Sequence, residues 1–197
     1  MTDLMKTVGE YMTPETVDMI AGRIGARESN VREGLGAAVP LLINALARNG
    51  QSERGAASIT GALRQDHDGS LLGQIGEFIR GNVSGRQADG VGILEHVLGG
   101  RRATVERGVS KTSGLDMAQV ARLLPIVAPI VMNALGKIRE ERNLDTPEVQ
   151  SLLEQEARTT ENELGSFARL IDRDNDGSIT DELIGFGSQL FSRFGGR

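Results

Sequence analysis

The sequence contains no cysteine and no tryptophan, and only one tyrosine and two histidines among its 197 residues. The absence of cysteine excludes disulfides, thiolate zinc sites, iron–sulfur clusters and cysteine nucleophiles. Because aromatic residues make up 3% of the chain and hydrophobic residues 39%, the core must consist mainly of aliphatic side chains. Oxygen and imidazole groups are the remaining candidates for chemistry, and we expect a protein that is not an enzyme.

The sequence also has fewer basic than acidic residues, 22 against 27, and no long hydrophobic run. The net charge of -5 gives the whole molecule no attraction to phosphate backbones or anionic membranes, so we do not expect a nucleic-acid partner. Residues 1–4 include Asp3 and begin no apolar run of the kind found in secretory signals. The most apolar stretch, residues 123–135, contains two prolines and is shorter than the roughly 20 residues of a membrane span. The sequence therefore predicts a cytoplasmic protein with no membrane span.

Apolar residues recur at helical spacing along nearly the whole chain, which predicts an all-α, multihelical fold. Thr13 and Pro14 form the start signal of a helix that we expect to end at Gly25. Ser29 is the candidate N-cap of the next helix, where Pro40 predicts a kink or a break.

A shift of 89 positions superposes two segments of the sequence. It aligns Pro40, Asn44, Ala45 and Leu46 with Pro129, Asn133, Ala134 and Leu135. An acidic turn also occurs twice, as Asp-His-Asp-Gly-Ser at residues 66–70 and Asp-Asn-Asp-Gly-Ser at residues 174–178. The turns are 108 positions apart, so the second copy contains roughly 19 additional residues. We place the insertion in a Glu-rich helix from about residue 146 to 170 and expect that helix to extend from the body.

The repeated segments indicate two related helical subdomains produced by an internal duplication. The first repeat is predicted to span residues 1–82. Residues 83–100 form a connector with a short helix, and residues 101–197 form the second repeat with the Glu-rich helix and an acidic loop. Residues 101–139 carry seven basic and two acidic side chains, whereas residues 145–182 carry eleven acidic and three basic ones. Such halves are most often solvated, but they could also pair within one chain or between chains.

The acidic loop at residues 172–183 begins like a calcium-binding EF-hand loop. The candidate metal ligands are Asp172, Asp174, Asp176, Ser178, Asp181 and Glu182. Calcium prefers six to eight oxygen ligands, and acids at loop positions 1, 3 and 5 with glycine at position 6 fit that need. Leu183 occupies position 12, where a bidentate glutamate is expected. Three alternatives stay open: Asp181 or Glu182 completes the Ca²⁺ site, the site is weaker, or the loop is a capped turn without metal.

The sequence offers two further candidate sites besides the calcium loop, a transition-metal site and a DNA-binding site. His67 and His96 could form a transition-metal site with a carboxylate, but the spacing does not fix one, and we expect a surface His67 and a helix-terminal His96. The helix–turn–helix patterns around Gly25 and Gly114 suggest a DNA-binding regulator as the alternative function. Acidic residues such as Glu28 on the would-be recognition helix argue against that alternative.

Several motifs together resemble the YidB-like bacterial family, a domain of unknown function numbered 937. They are Ala-Val-Pro-Leu-Leu at residues 38–42, His-Asp-Gly-Ser-Leu-Leu at 67–72, Gly-Ile-Leu-Glu-His-Val-Leu-Gly at 92–99, Ser-Gly-Leu at 113–115 and the apolar run at 123–132. The resemblance implies a multihelical bacterial fold with two subdomains and implies no reaction.

The sequence as a whole favours a non-catalytic helical interaction or scaffold protein. We expect it to bind Ca²⁺ through the acidic loop, which would order a last helix at residues 183–194. That helix has an apolar face formed by Leu183, Phe186, Leu190 and Phe194. The face would dock on the body or on another copy, so the expected partner is a protein, most simply a second copy in a homo-oligomer.

Overall fold

The computed structural model describes residues 3–164, which form α-helices joined by short loops and 3-10 turns, without a β-strand in that range. The all-α prediction is confirmed. The helices are α1 (Asp3–Tyr11), α2 (Pro14–Ile24), α3 (Glu28–Gly50), α4 (Glu53–Gln65), α5 (Ile75–Arg80), α6 (Gly90–Leu98), α7 (Arg102–Ser113), α8 (Met117–Arg142) and α9 (Thr146–Leu164).

Helix α2 begins and ends where its local sequence predicts. The Thr13 side chain accepts a hydrogen bond from the backbone N–H of Thr16, and Pro14 occupies the first helical position. Gly25 ends the helix in a left-handed conformation with φ of 71°, which glycine adopts without steric cost. Local start and stop signals are therefore sufficient to define α2.

Helix α3 departs from one prediction and excludes one of the two alternatives in another. It begins at Glu28 after an extended Arg27, so the prediction of Ser29 as N-cap is wrong. It also continues through Pro40 without a break. A proline inside a helix removes one backbone hydrogen bond, but α3 is buried along most of its length. We infer that the packing of α3 in the core outweighs the lost hydrogen bond.

Helix α8 contains the apolar run at residues 123–135. It is the one helix among residues 3–164 that is long and apolar enough to span a bilayer by length and composition. Of its most apolar window, 72% is buried inside the protein. Packing in a protein core therefore accounts for the apolar run at residues 123–135.

Helices α3 and α8 contact each other at the centre, and each also packs against helices from the other half of the chain. Helix α3 contacts α6, α7 and α9, and α8 contacts α1, α2 and α4. Two hydrogen bonds link the first turn of each central helix to the turn before the other: Asn30 Nδ2 donates to the Gly114 carbonyl at 3.2 Å, and Gln119 Nε2 donates to the Gly25 carbonyl at 2.6 Å. Both halves contribute to one hydrophobic core. The predicted domain limits at residues 82 and 100 stay a prediction.

Helix α9 does not extend from the body along its described length, so that expectation is wrong. It packs against α3 and α4, with Val149, Leu152 and Leu153 buried. Glu156 is also buried, and its carboxylate accepts the backbone N–H of Leu4 at 3.0 Å. The high Glu content concealed an apolar stripe at helical spacing that faces α3.

We predict that Gly90→Ala destabilises the protein by about 2 kcal/mol or more, because overpacking forces the backbone to shift. Gly90 begins α6, and an added Cβ would overlap the carbonyl group of Pro125 on α8. Gly22→Ala is the matched control, since nothing lies within 4 Å of a Cβ at that exposed helical position. Urea unfolding measures both variants. Equal stabilities would contradict the close contact between α6 and α8.

Candidate functional site

The predicted calcium loop lies outside the described residues, together with all six of its candidate ligands, Asp172, Asp174, Asp176, Ser178, Asp181 and Glu182. The same holds for the apolar face predicted at residues 183–194. Within residues 3–164, no group of three or more histidine, aspartate or glutamate side chains is arranged to hold a metal ion. The candidate groups that lie within the described residues are the first acidic turn and the two histidines.

The first acidic turn, residues 66–70, follows α4 and closes on itself. The Asp68 carboxylate accepts the backbone N–H of Ser70 at 2.9 Å, and Gly69 takes a positive φ of 98°. Hydrogen bonds from Ser70 lower the pKa of Asp68. Asp68 therefore stabilises the turn through a local hydrogen bond, as aspartate commonly does in turns.

The side chain of Asn133 on α8 attaches this turn to the core. Asn133 is fully buried, and its Oδ1 accepts the backbone N–H of Gly69 at 3.2 Å. Its Nδ2 donates to the Pro129 carbonyl at 2.9 Å and lies 3.3 Å from His67 Nδ1. The bonds to Gly69 and Pro129 fix which end of the amide is oxygen and which is nitrogen. Because the amide nitrogen can only donate, His67 Nδ1 must be the acceptor and Nε2 carries the ring proton.

The burial of His67 explains its charge state. The side chain is 4% exposed, so the expectation of a surface His67 is wrong. Burial lowers the pKa of His67, and the nearby carboxylates of Asp66 and Asp68 oppose that shift without reversing it. Gly136 on α8 permits this position, because any Cβ there would overlap the His67 carbonyl. His67 is therefore a neutral imidazole held against α8.

The fold brings His67 and His96 to one cleft, which the sequence spacing could not show. The cleft has a volume of about 340 Å³ and is lined by residues that include both histidines, Asp66, Arg86 and Asp89. His96 lies in the last turn of α6, as expected, with its Nε2 3.3 Å from Ser58 Oγ. The two histidines, Asp66, Arg86 and Asp89 each have a hydrogen-bond or ion-pair partner. The imidazoles and carboxylates of the cleft do not converge on a metal position.

Most of the other polar groups in the cleft serve the fold. Asp89 Oδ1 accepts the backbone N–H of Gly92 at 2.9 Å and caps α6. The Asp66 carboxylate lies 3.6 Å from the Arg86 guanidinium. We expect little stabilisation from this ion pair, because Arg86 is largely exposed.

Both candidate DNA-recognition helices, α3 and α8, lie at the centre of the protein. Asn30 in the first turn of α3 bonds to Gly114 before α8, and Gln119 in the first turn of α8 bonds to Gly25 before α3. Val31 and Val120, also near the starts of these helices, are fully buried. A recognition helix must present its first turns to a groove of the DNA. In this arrangement, part of each N-terminal turn is occupied by contacts within the protein.

Sequence reasoning missed the role of Asn133. The available signal was the repeated Pro-x-x-x-Asn-Ala-Leu pattern, in which a polar residue stands in an otherwise apolar helix. Its repeat partner, Asn44 on α3, has a buried Nδ2 without a hydrogen-bond partner among the described residues. Asn133 and Asn44 thus occupy equivalent sequence positions in different hydrogen-bonding states.

These features place the protein in the class of multihelical all-α proteins, here with a buried amide–imidazole contact between α8 and the turn after α4. Within this class, the sequence model of a bacterial protein family of unknown function, DUF937, matches residues 6–138, and the chain belongs to that family. The resemblance seen in the sequence is confirmed. Searches of curated proteins and of solved structures found no match.

We predict that Asn133→Ala lowers the free energy of unfolding by about 3 kcal/mol, because it leaves buried partners without hydrogen bonds. The groups affected are the Gly69 N–H and His67 Nδ1. Asn82→Ala is the control, and its effect should stay within about 1 kcal/mol, because the Asn82 amide is exposed and donates to the exposed Glu77 carboxylate. Urea unfolding measures both. A similar loss in the two variants would refute the special role of Asn133.

We further predict that the protein loses stability as the pH falls through the region of the unfolded-state histidine pKa. The folded pKa of His67 lies below its ordinary value of 6.5, so the unfolded chain takes up a proton first. The contribution is complete above that pH and is lost below it. The measurement is urea unfolding at several pH values between 7 and 5. His67→Gln should flatten this dependence relative to the unmodified protein, and an unchanged slope would exclude His67 as its source.

Proposed function

We propose that this protein is a non-catalytic, cytoplasmic helical interaction protein. The observation that carries the proposal is the state of the His67 ring. A general base needs a free lone pair within reach of a substrate. In His67, the Nδ1 lone pair faces the fully buried amide of Asn133, and Nε2 is protonated. The residue best suited to acid–base chemistry therefore contributes to packing instead.

We infer that the interaction protein arose by duplication of a four-helix unit. Helices α1 to α4 correspond in order to α6 to α9 at a shift close to 89 positions. The hydrogen bond from Asn30 to Gly114 and the bond from Gln119 to Gly25 join two residue pairs that the same shift of 89 exchanges. A reciprocal pair of contacts is what two equivalent surfaces make when they are related by a two-fold axis. This pattern supports the two-repeat organisation.

The proposed ligand of the second acidic loop is Ca²⁺. Asp172, Asp174 and Asp176 provide carboxylates at alternate positions, and Ser178, Asp181 and Glu182 provide further oxygens. The first acidic turn has Arg64 at the position that corresponds to Asp172. Its Asp68 is already engaged with Ser70 in the turn. Of the two turns, only the second thus has a carboxylate at loop position 1. A turn with a purely structural role does not require a carboxylate there.

Self-association is the proposed use of the calcium-dependent segment. Ca²⁺ bound at residues 172–182 would neutralise part of the acidic charge before the apolar face of Leu183, Phe186, Leu190 and Phe194. That face would then dock on the body or on a second copy of the chain. The basic residues between 101 and 139 offer complementary charge for either contact.

We predict that millimolar Ca²⁺ raises the thermal midpoint by about 5 °C over EDTA, since a ligand that binds only the native state stabilises it. Mg²⁺ at the same concentration should not, and light scattering should show a larger mass with Ca²⁺. Asp174→Asn should reduce the shift. Asp68→Asn in the first acidic turn is the matched control and should preserve it.

A monomeric mass with and without Ca²⁺ would exclude self-association. The absence of a calcium-specific shift would exclude the metal site and leave residues 172–182 as a capped turn.

A further inference from the structure

A groove on α3 contains a buried polar group without a partner. The groove runs between α3, α6 and α7, and residues that line it include Leu41, Asn44, Val97 and Val105. Asn44 Nδ2 is buried and makes no hydrogen bond to any described residue. Buried amide donors almost always have partners in native proteins, so each exception calls for an explanation.

Asn133 occupies the sequence position equivalent to Asn44, and its contacts indicate what kind of group can bond to the Asn44 amide. Asn133 lies 89 positions later. Its Oδ1 accepts a hydrogen bond from the Gly69 N–H, and its Nδ2 donates to His67 Nδ1. Its partner is thus the first acidic turn, which follows α4 directly. The equivalent partner of Asn44 would be the acidic turn that follows α9.

The second acidic turn carries the groups that this role needs. Gly177 corresponds to Gly69 and can donate its backbone N–H to Asn44 Oδ1. Asn175 corresponds to His67, and its side-chain carbonyl can accept from Asn44 Nδ2 as the imidazole does at Asn133. Ala47 stands where α8 has Gly136, so the second turn must lie somewhat farther from its helix. The donor and acceptor pattern of residues 175–177 therefore complements Asn44.

Charge also favours this turn as the occupant of the groove. Arg48 and the exposed Arg101 line the groove. Asp174 and Asp176 lie in the turn, and Asp172 lies two positions before it. Opposite charges on two surfaces guide their association and disfavour other partners.

The chain is long enough for the turn to reach the groove. Ten residue steps separate the end of α9 at Leu164 from residue 174, and an extended chain of that length spans up to about 33–36 Å. The 23 residues of α3 span about 35 Å, and α9 already packs against α3. A tether of this kind also makes the effective concentration of the turn high.

We propose that the acidic turn at residues 174–178 docks on α3 of the same chain, with its backbone and Asn175 bonded to the Asn44 amide in the groove between α3, α6 and α7. This contact repeats the docking of residues 66–70 on Asn133. It goes beyond the proposed function, because it needs neither Ca²⁺ nor a second copy of the chain. In the absence of metal, the second loop would then be bound in the groove between α3, α6 and α7.

Hydrogen exchange of the full chain in EDTA, followed by mass spectrometry, tests this docking. We expect the amides of residues 175–179 to exchange at least about tenfold more slowly than in an unstructured chain, since a docked turn exchanges only on local opening. Asn44→Ala should remove most of that protection without changing exchange in α8. Arg101→Glu should also reduce it, whereas the control Arg54→Glu, at an exposed position on α4, should not.

Gly177→Val provides a second test that leaves the described core untouched, and it should abolish the protection at residues 175–179. Four results would overturn the proposal. They are exchange at the unstructured rate in EDTA, equal protection in Asn44→Ala, protection that needs Ca²⁺, and protection that increases with protein concentration. The third result would support the calcium loop alone, and the fourth would identify the turn of a second copy as the occupant. Failure of the docking is therefore distinguishable from failure of the proposed function.

Discussion

The buried side-chain amide of Asn133 is the interaction on which the first half of the structure depends. An amide placed in an aliphatic core must satisfy both its donor and its acceptor groups, because an unpaired buried polar group is costly. Asn133 does this by bonding the turn after α4 and the backbone of its own helix. The position of His67 follows from the same requirement. One polar residue thus holds the turn that follows α4 against α8.

The same requirement links the structure to function. His67 is neutral and faces the core amide, so the two-histidine cleft is bounded by groups that stabilise the fold. Interaction through surfaces and through the acidic C-terminal segment is the function that we propose for this protein. On the opposite central helix, the Asn44 amide nitrogen has no hydrogen-bond partner among the described residues. The two central helices therefore differ at this equivalent position, and we propose residues 174–178 as the partner of Asn44.

The sequence and the structure agree best where structure is local. Thr13, Pro14 and Gly25 determine α2 through capping and backbone conformation, and these act within a few residues. Agreement fails where burial decides the outcome. Pro40 does not break α3, and the Glu-rich α9 lies against the core, because each gains more from packing than its composition indicates. The candidate site was only partly predictable: the acidic turn and both histidines were visible, but not their shared cleft or the burial of His67.

The sequence by itself determined the all-α class, the family and the repeated Pro-x-x-x-Asn-Ala-Leu pattern, since periodicity, capping and motif spacing are properties of the chain. Only the tertiary structure decided what the pattern does. The amide of Asn133 meets His67 across 66 positions of sequence, and Gln119 meets Gly25 across 94. Such contacts depend on how α3 and α8 cross, and no local signal encodes that crossing. The protonation state of His67 follows from the same packing, because burial against α8 disfavours the charged imidazole.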